Sequence, residues 1–197
     1  MRYRLVLLIT GIAALAACNK SPQVNEQNAS VAEVAQKVRE AGADSMFVNP
    51  GKWQSKVTIE QFEVPGMPPQ MAQRMKETMA KFQERSFETC LTKEDAKRPK
   101  EDFFTGKNSA CRYDHFTMGD GKIDALMRCG GGEGGAVQVM SMTGTYSPEA
   151  YAMRMAMTRE GGPKPSAGTT MKMRVESHRI GECTGDEVNV AARGGRK

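Results

Sequence analysis

Asp120-Gly121 constrains the fold more than any other dipeptide in this chain, because it lies between two segments in which apolar and polar residues alternate. Both residue types tolerate the positive φ angles of a type I′ turn, the two-residue connection whose twist suits a β-hairpin. Arg112 to Met118 and Lys122 to Cys129 therefore read as paired antiparallel strands. A two-residue loop sets Met118 against Ile123, Phe116 against Ala125, Asp114 against Met127 and Arg112 against Cys129. Cys129 then shares the apolar face, and Cys111 points to the opposite one, since parity along a strand decides the face.

The two hairpin cysteines belong to a set of five in 197 residues. Cys18 is set apart by what precedes it. Arg2 and Arg4 open residues 1–17, and an apolar run from Leu5 to Ala17 follows, which is the layout of a secretory signal peptide. The run is too short to span a bilayer, which takes roughly 20 apolar residues. It ends in Leu15-Ala16-Ala17-Cys18, which resembles the bacterial lipobox, so Cys18 is the expected lipidation site, and its acyl chains (palmitate among them) are the expected anchor. Asn19, by resemblance to enterobacterial lipoproteins, implies a periplasm-facing position on the outer membrane. Removing Arg2 and Arg4 lowers Lys+Arg from 28 to 26 against 23 acidic residues, and the net charge from +5 to +3. Nucleic-acid binding wants a far more basic surface.

Cys90, Cys111, Cys129 and Cys183 remain, an even number that reads as two disulfides in an oxidising compartment, with three possible connectivities. Thr170 to Cys183 alternates so that Met171, Met173, Val175 and, by continued alternation, Cys183 share a face. The expected pairs are therefore Cys90 with Cys111 and Cys129 with Cys183. A three-residue turn at Asp120 would reverse the parity on which this rests.

Residues 18–29 are polar and aperiodic and read as a lipidated tether. A single domain is expected over 30–188, with a basic tail over 189–197. Ser30 with Glu33 is a capping box that opens a helix over 30–42, with Val31, Val34, Ala35, Val38 and Ala41 at helical spacing and Gly42 at its end. Pro50-Gly51 turns the chain into a strand in which Trp53, Ser55, Val57 and Ile59 alternate with polar residues. Met71, Met75, Met79 and Phe82 mark one stripe of a second helix started by prolines between Pro68 and Arg85. Ser86 to Cys90 is a further strand, and Thr92 caps a short helical turn. Ala136 to Tyr146 and the segment carrying Tyr151, Met153, Met155 and Met157 complete about seven strands and two helices. The fold class is α+β, mainly β: a curved antiparallel meander or partial barrel.

Several of these segments together resemble the exported bacterial proteins of the domain of unknown function 3617 family. They are Pro50-Gly51-Lys52-Trp53, Pro65-Gly66-Met67-Pro68-Pro69, Cys90-Leu91-Thr92 with Glu94-Asp95, the Cys111 to Cys129 hairpin, the methionine-alternating strand and Arg179-Ile180-Gly181-Glu182-Cys183. The resemblance covers about residues 50–183. Gln54 stands where the family has Glu, and the segment from Met67 to Arg85 is longer than usual. It implies an exported, disulfide-bonded domain and supplies no catalytic residue.

The chemistry-bearing residues are sparse. His115 and His178 are the only histidines, no Gly-x-Ser-x-Gly elbow is present, and neither Asp114-His115 nor Glu176 with His178 has a diagnostic metal spacing. The glycine run 130–135 lacks the Lys-Ser/Thr ending of a phosphate loop. No cofactor and no catalytic residue is assigned. The fifteen methionines are the one unusual resource. Thioethers fill irregular cores and adaptable apolar surfaces, and they are also soft ligands for Cu(I) or Ag(I). Met153, Met155 and Met157, on one strand face, are the candidates for the metal. The expectation is a non-catalytic, membrane-anchored envelope binding or interaction module, with a Cu(I)/Ag(I) handler and an apolar-ligand carrier as alternatives.

Overall fold

Among the described residues, eight antiparallel strands form one open sheet in the order β1-β4-β5-β6-β7-β8-β2-β3. They are β1 (Val24–Ser30), β2 (Gly51–Glu63), β3 (Ser86–Leu91), β4 (Cys111–Gly119), β5 (Lys122–Cys129), β6 (Val137–Ser147), β7 (Ala150–Glu160) and β8 (Thr170–Gly181). The helices are α1 (Val31–Ala41), α2 (Pro69–Gln83) and α3 (Lys93–Lys97), with a 3-10 turn at Glu133–Gly135. The computed structural model describes residues 23–42, 47–83, 86–97, 110–130, 133–163 and 167–185. The leader, Cys18, the first part of the tether and the 189–197 tail lie outside the described residues.

The five strands from β4 to β8 are the expected meander, and β2 with β3 joins beyond β8. The eighth strand, β1, corrects the expected tether. Its inward residues Val24 and Ala29 are five apart, a spacing that period two excludes. Asn28 takes a positive φ of 49°, which Asn tolerates, and this shifts the parity between them. β1 pairs with β4 from Val24↔Met118 to Ser30↔Arg112. The sheet is also open rather than barrel-like: β1 and β3 are its two edges.

The Asp120-Gly121 turn forms as expected, with φ values of 49° and 71°, and pairs Met118 with Ile123 and Phe116 with Ala125. The register then shifts. Tyr113 opposes Met127 and His115 opposes Leu126, which leaves Asp114 as the extra residue of a β-bulge. One inserted residue reverses the parity beyond it, so Cys111 lies directly opposite Cys129. The disulfides are Cys111–Cys129, with Cα atoms 3.9 Å apart, and Cys90–Cys183, with Cα atoms 5.5 Å apart. The expected pairs, Cys90 with Cys111 and Cys129 with Cys183, are both overturned. Cys183 departs from its expected face because β8 ends at Gly181, before the cysteine is reached. Gly181 and Cys90 both oppose Lys52, from the two strands flanking β2, so the second bridge crosses the end of β2.

α1 opens with the expected capping box: the Glu33 amide donates to Ser30 Oγ (3.2 Å) and the Ser30 amide to Glu33 Oε2 (2.6 Å). These bonds hold the Glu33 carboxyl below its ordinary pKa. The helix lays Val31, Val34, Val38 and Ala41 against a core made by Val24, Ala29, Tyr113, Phe116, Ile123, Ala125, Met127 and Met142. The β4 bulge serves this core, since it lets Tyr113 and Phe116, three residues apart, both point inward and meet edge to face at 5.3 Å.

Peptide mapping without reduction is expected to return Cys90–Cys183 and Cys111–Cys129. With sequence separations of 93 and 18, removing the first bridge should cost more than removing the second, ~4.6 against ~3 kcal/mol in the chain-entropy model. Tyr113 supplies a second prediction. Burial, at 3% exposure, pushes its hydroxyl from 10.0 to about 12. The unfolded chain loses this proton first, so it binds fewer protons than the native state between those values, and stability falls as pH rises. Unfolding measured from pH 10 to 12 should show the wild type losing about 2 kcal/mol more than Tyr113→Phe.

Candidate functional site

Strand register turns the scattered methionines into a grid on the sheet face that α1 partly covers. One cross-strand row runs Phe116, Ala125, Met142, Met155, Met173, Ile59. The next runs Tyr113, Met127, Met140, Met157, Met171, Phe62. Seven of the eight inward positions that these two rows take from β5 to β8 are methionine, and Ala125 is the eighth. Directly opposite residues on neighbouring strands stand roughly 4.5–5.5 Å apart, so their side chains touch.

The grid is buried at one end and half-buried at the other. Met127 and Met142 lie in the core, and Met140, Met153 and Met155 pack against it. Met157, Met171, Met173, Val57, Ile59 and Phe62, on β7, β8 and β2, lie outside that cluster and keep partial exposure. Beside them, α2 and β2 bound a groove of about 610 Å³ whose apolar lining includes Ile59, Phe62, Met67, Met75 and Met79 and whose edge carries the charged Glu60, Glu63 and Lys76. Met71, expected on the same helix stripe, is 55% exposed. Met67 precedes the helix, after the Val64 to Gly66 turn.

A third row ends this face: the disulfide-bonded Cys129 and the polar Gln138 and Arg159 oppose one another in turn. Gln138 Nε2 reaches Met157 Sδ at 3.6 Å. Arg159 Nε is buried and, like Arg174 Nε, has no hydrogen-bond partner among the described residues.

The opposite face is an ion-pair surface. Arg128 holds Asp114 (2.9 Å) and Glu160 (3.4 Å), and these carboxylates raise its pKa further. His115 is bonded to Asp124, and Arg174 pairs with Glu176 at 3.4 Å. Each histidine-centred metal pair considered from the sequence is therefore divided: Asp114 goes to Arg128 rather than to a site with His115, and Glu176 goes to Arg174. His115 on β4 and His178 on β8 are separated by β5, β6 and β7. Ser177 is buried and exchanges a hydroxyl bond of 2.7 Å with Ser55, while adjacent His178 lies on the other face and is exposed. Among the described residues, no group of three His, Cys, Asp or Glu is placed to hold a metal ion.

The segments at the two ends of the family-like region meet at one end of the sheet. Arg179 Nε donates to the Pro50 carbonyl (2.7 Å), its guanidinium bonds Glu182, and its amide donates to the Glu149 carbonyl (2.9 Å). Trp53 Nε1 donates to the Asn49 carbonyl (3.0 Å), and its ring packs on Tyr151 at 5.6 Å. Gly51 has φ +142°, and a Cβ there would stand 2.4 Å from the Gly181 carbonyl oxygen, a close approach that only glycine allows. Sequence reasoning singled these segments out without seeing that they are one structural knot. What it missed outright is Arg159, whose signal was a charged residue occupying an inward position in the Tyr151, Met153, Met155, Met157 alternation.

No curated protein and no solved structure matches the chain. The family model described as "Protein of unknown function (DUF3617)" matches residues 48–183, from just before the Pro50 turn to the last cysteine. Spanning more than half of the chain and enclosing this whole knot, that match makes the chain a member of the DUF3617 family.

Proposed function

We propose that the protein is a lipid-anchored binding module of the cell envelope, without catalysis of its own, that receives an apolar ligand on its methionine face. The observation that carries this reading is the half-exposed end of the grid, Met157, Met171, Met173, Ile59 and Phe62, running into the α2–β2 groove. The groove's 610 Å³ falls within the roughly 300–1,000 Å³ of ordinary small-ligand sites. Unbranched thioethers suit a ligand without fixed shape, because three rotatable bonds let each side chain refit to it. The lipobox ending in Cys18 supports the anchor and, with Asn19, the outer membrane as its location; tethering there would hold the face close to acyl chains.

Native mass spectrometry of the full chain extracted from envelopes should reveal a co-purifying acyl-chain ligand that Met75→Glu with Met79→Glu removes, while Cys18→Ser releases the protein to the soluble fraction with its ligand site intact. A wild-type protein that carries no ligand and takes up no added alkyl chain sinks this reading.

A second reading is favoured by one observation, the direct opposition of Met140, Met157 and Met171 across β6, β7 and β8. Three thioethers in one row with Phe62 at its end could hold Cu(I) or Ag(I), the ring adding a cation–π contact. This places the metal in a row that includes Met157, with Met153 and Met155 in other rows. Arg159, the next inward residue on β7, opposes it by charge repulsion. Ag(I) titration decides: this reading expects Met157→Leu to weaken binding about tenfold and the exposed Met71→Leu to leave it unchanged, and equal behaviour of the two variants removes it.

A further inference from the structure

Arg159 is the one charged residue that β7 turns toward the methionine face, and its environment is unusual for a guanidinium. Its neighbours along and across the face are Met157 and Gln138, both without charge. Its backbone is fixed at the strand end, where the amide donates to Thr169 (2.9 Å) and the carbonyl accepts from Gly168 (2.8 Å). Among the described residues its Nε–H is buried with no acceptor; Arg174 Nε, on the opposite face, shares that state but has Glu60 3.7 Å away. The side chain as a whole is half-buried, but a buried N–H without a partner is costly, and native proteins keep such groups rarely. Other arginines of the sheet have carboxylates within reach: Arg128 has Asp114 and Glu160, Arg154 has Glu60 at 3.8 Å, and Arg174 has Glu60 and Glu176. Arg159 lies across the sheet from that carboxylate-rich surface.

We infer that Arg159 is the receptor for the anionic head of an acyl-chain ligand whose tail lies on the methionine face. This rests on the apolar-ligand reading above and adds the class of ligand: a single alkyl chain ending in a carboxylate or a phosphate. The placement suits such an amphiphile. From Arg159 the adjacent row offers Met157, then Met171 on β8 and Phe62 on β2. With strands about 4.8 Å apart, that path crosses roughly 10 Å before it meets the α2–β2 groove. The head would accept the Nε–H, with Gln138 as a second, neutral donor beside it. A guanidinium matches both carboxylate and phosphate in a fork of parallel bonds, so it recognises the shared chemistry of the two heads. A soft cation gains nothing from the same arginine, which separates this inference from the metal reading.

The test uses the full chain and three twelve-carbon probes: laurate, dodecyl phosphate and dodecanol. Wild-type protein should bind one or both anionic probes about ten- to hundredfold more tightly than dodecanol, the span expected of a charge-assisted bond. Which of the two is preferred assigns the head as carboxylate or phosphate. Arg159→Gln keeps a polar side chain and should bring the anionic probes to the level of dodecanol without changing dodecanol binding. Arg159→Lys should restore part of the preference. Equal binding of laurate, dodecyl phosphate and dodecanol to the wild type, or an unchanged preference in Arg159→Gln protein with native circular dichroism and melting, overturns the role of Arg159 while leaving the apolar face standing. Failure of all three probes to bind removes both.

Discussion

The pairing of β2 with β8 is the constraint on which the remainder of this sheet depends. The two strands are brought together over nearly their whole lengths, from Lys52↔Gly181 to Glu63↔Thr170, although more than a hundred residues separate their starts in sequence. Contacts of such separation pay their loop-closure entropy before they gain anything. Arg179 offsets part of that cost at one end by bonding the Pro50 carbonyl from a largely buried position, and Cys90–Cys183 closes the same end across β2. Losing the β2–β8 pairing would detach β2 and β3 from the meander, and with them Ile59, Phe62 and α2, which is one whole wall of the proposed site.

The parts of this architecture that follow local rules were legible in the sequence. The Asp120-Gly121 turn, the Ser30–Glu33 capping box and the Thr92 cap, whose hydroxyl accepts the Asp95 amide at 3.1 Å, each need only a few adjacent residues. Apart from Cys183, which lies beyond the end of β8, the departures from expectation come from a change of parity inside a strand. Asp114 bulges out of β4, Asn28 takes a positive φ in β1, and β2 slips between Ile59 and Gln61. Each leaves apolar residues at a spacing of three or five where alternation allows only even numbers: Tyr113 to Phe116, Val24 to Ala29, Ile59 to Phe62. The first of these alone was enough to reverse the face of Cys111 and overturn the disulfide assignment. A strand with apolar residues at spacings of two, three and two, as in Cys111, Tyr113, Phe116 and Met118, is better read as a bulge than as one regular ladder.

The candidate site was legible by strand and not by sheet. Alternation alone puts Met153, Met155 and Met157 on one face, yet their neighbours across the sheet depend on register, which no local rule supplies. Only the pairing of β6, β7 and β8 shows that Met157 stands between Met140 and Met171, and Met155 between Met142 and Met173.

The choice of methionine along these rows is itself informative. Strands favour β-branched and aromatic side chains, which pack well on a pleated surface, and the outward positions of β6 do carry Val137 and Val139. Stability alone would place such residues inward as well, because flexible thioethers lose more rotamer freedom on ordering than Val or Ile. A face that must reshape around a mobile chain gains from that freedom. The strand propensity forgone between β5 and β8 is therefore consistent with an inner surface selected for adaptability, and Arg159 at its rim with a ligand that brings its own charge.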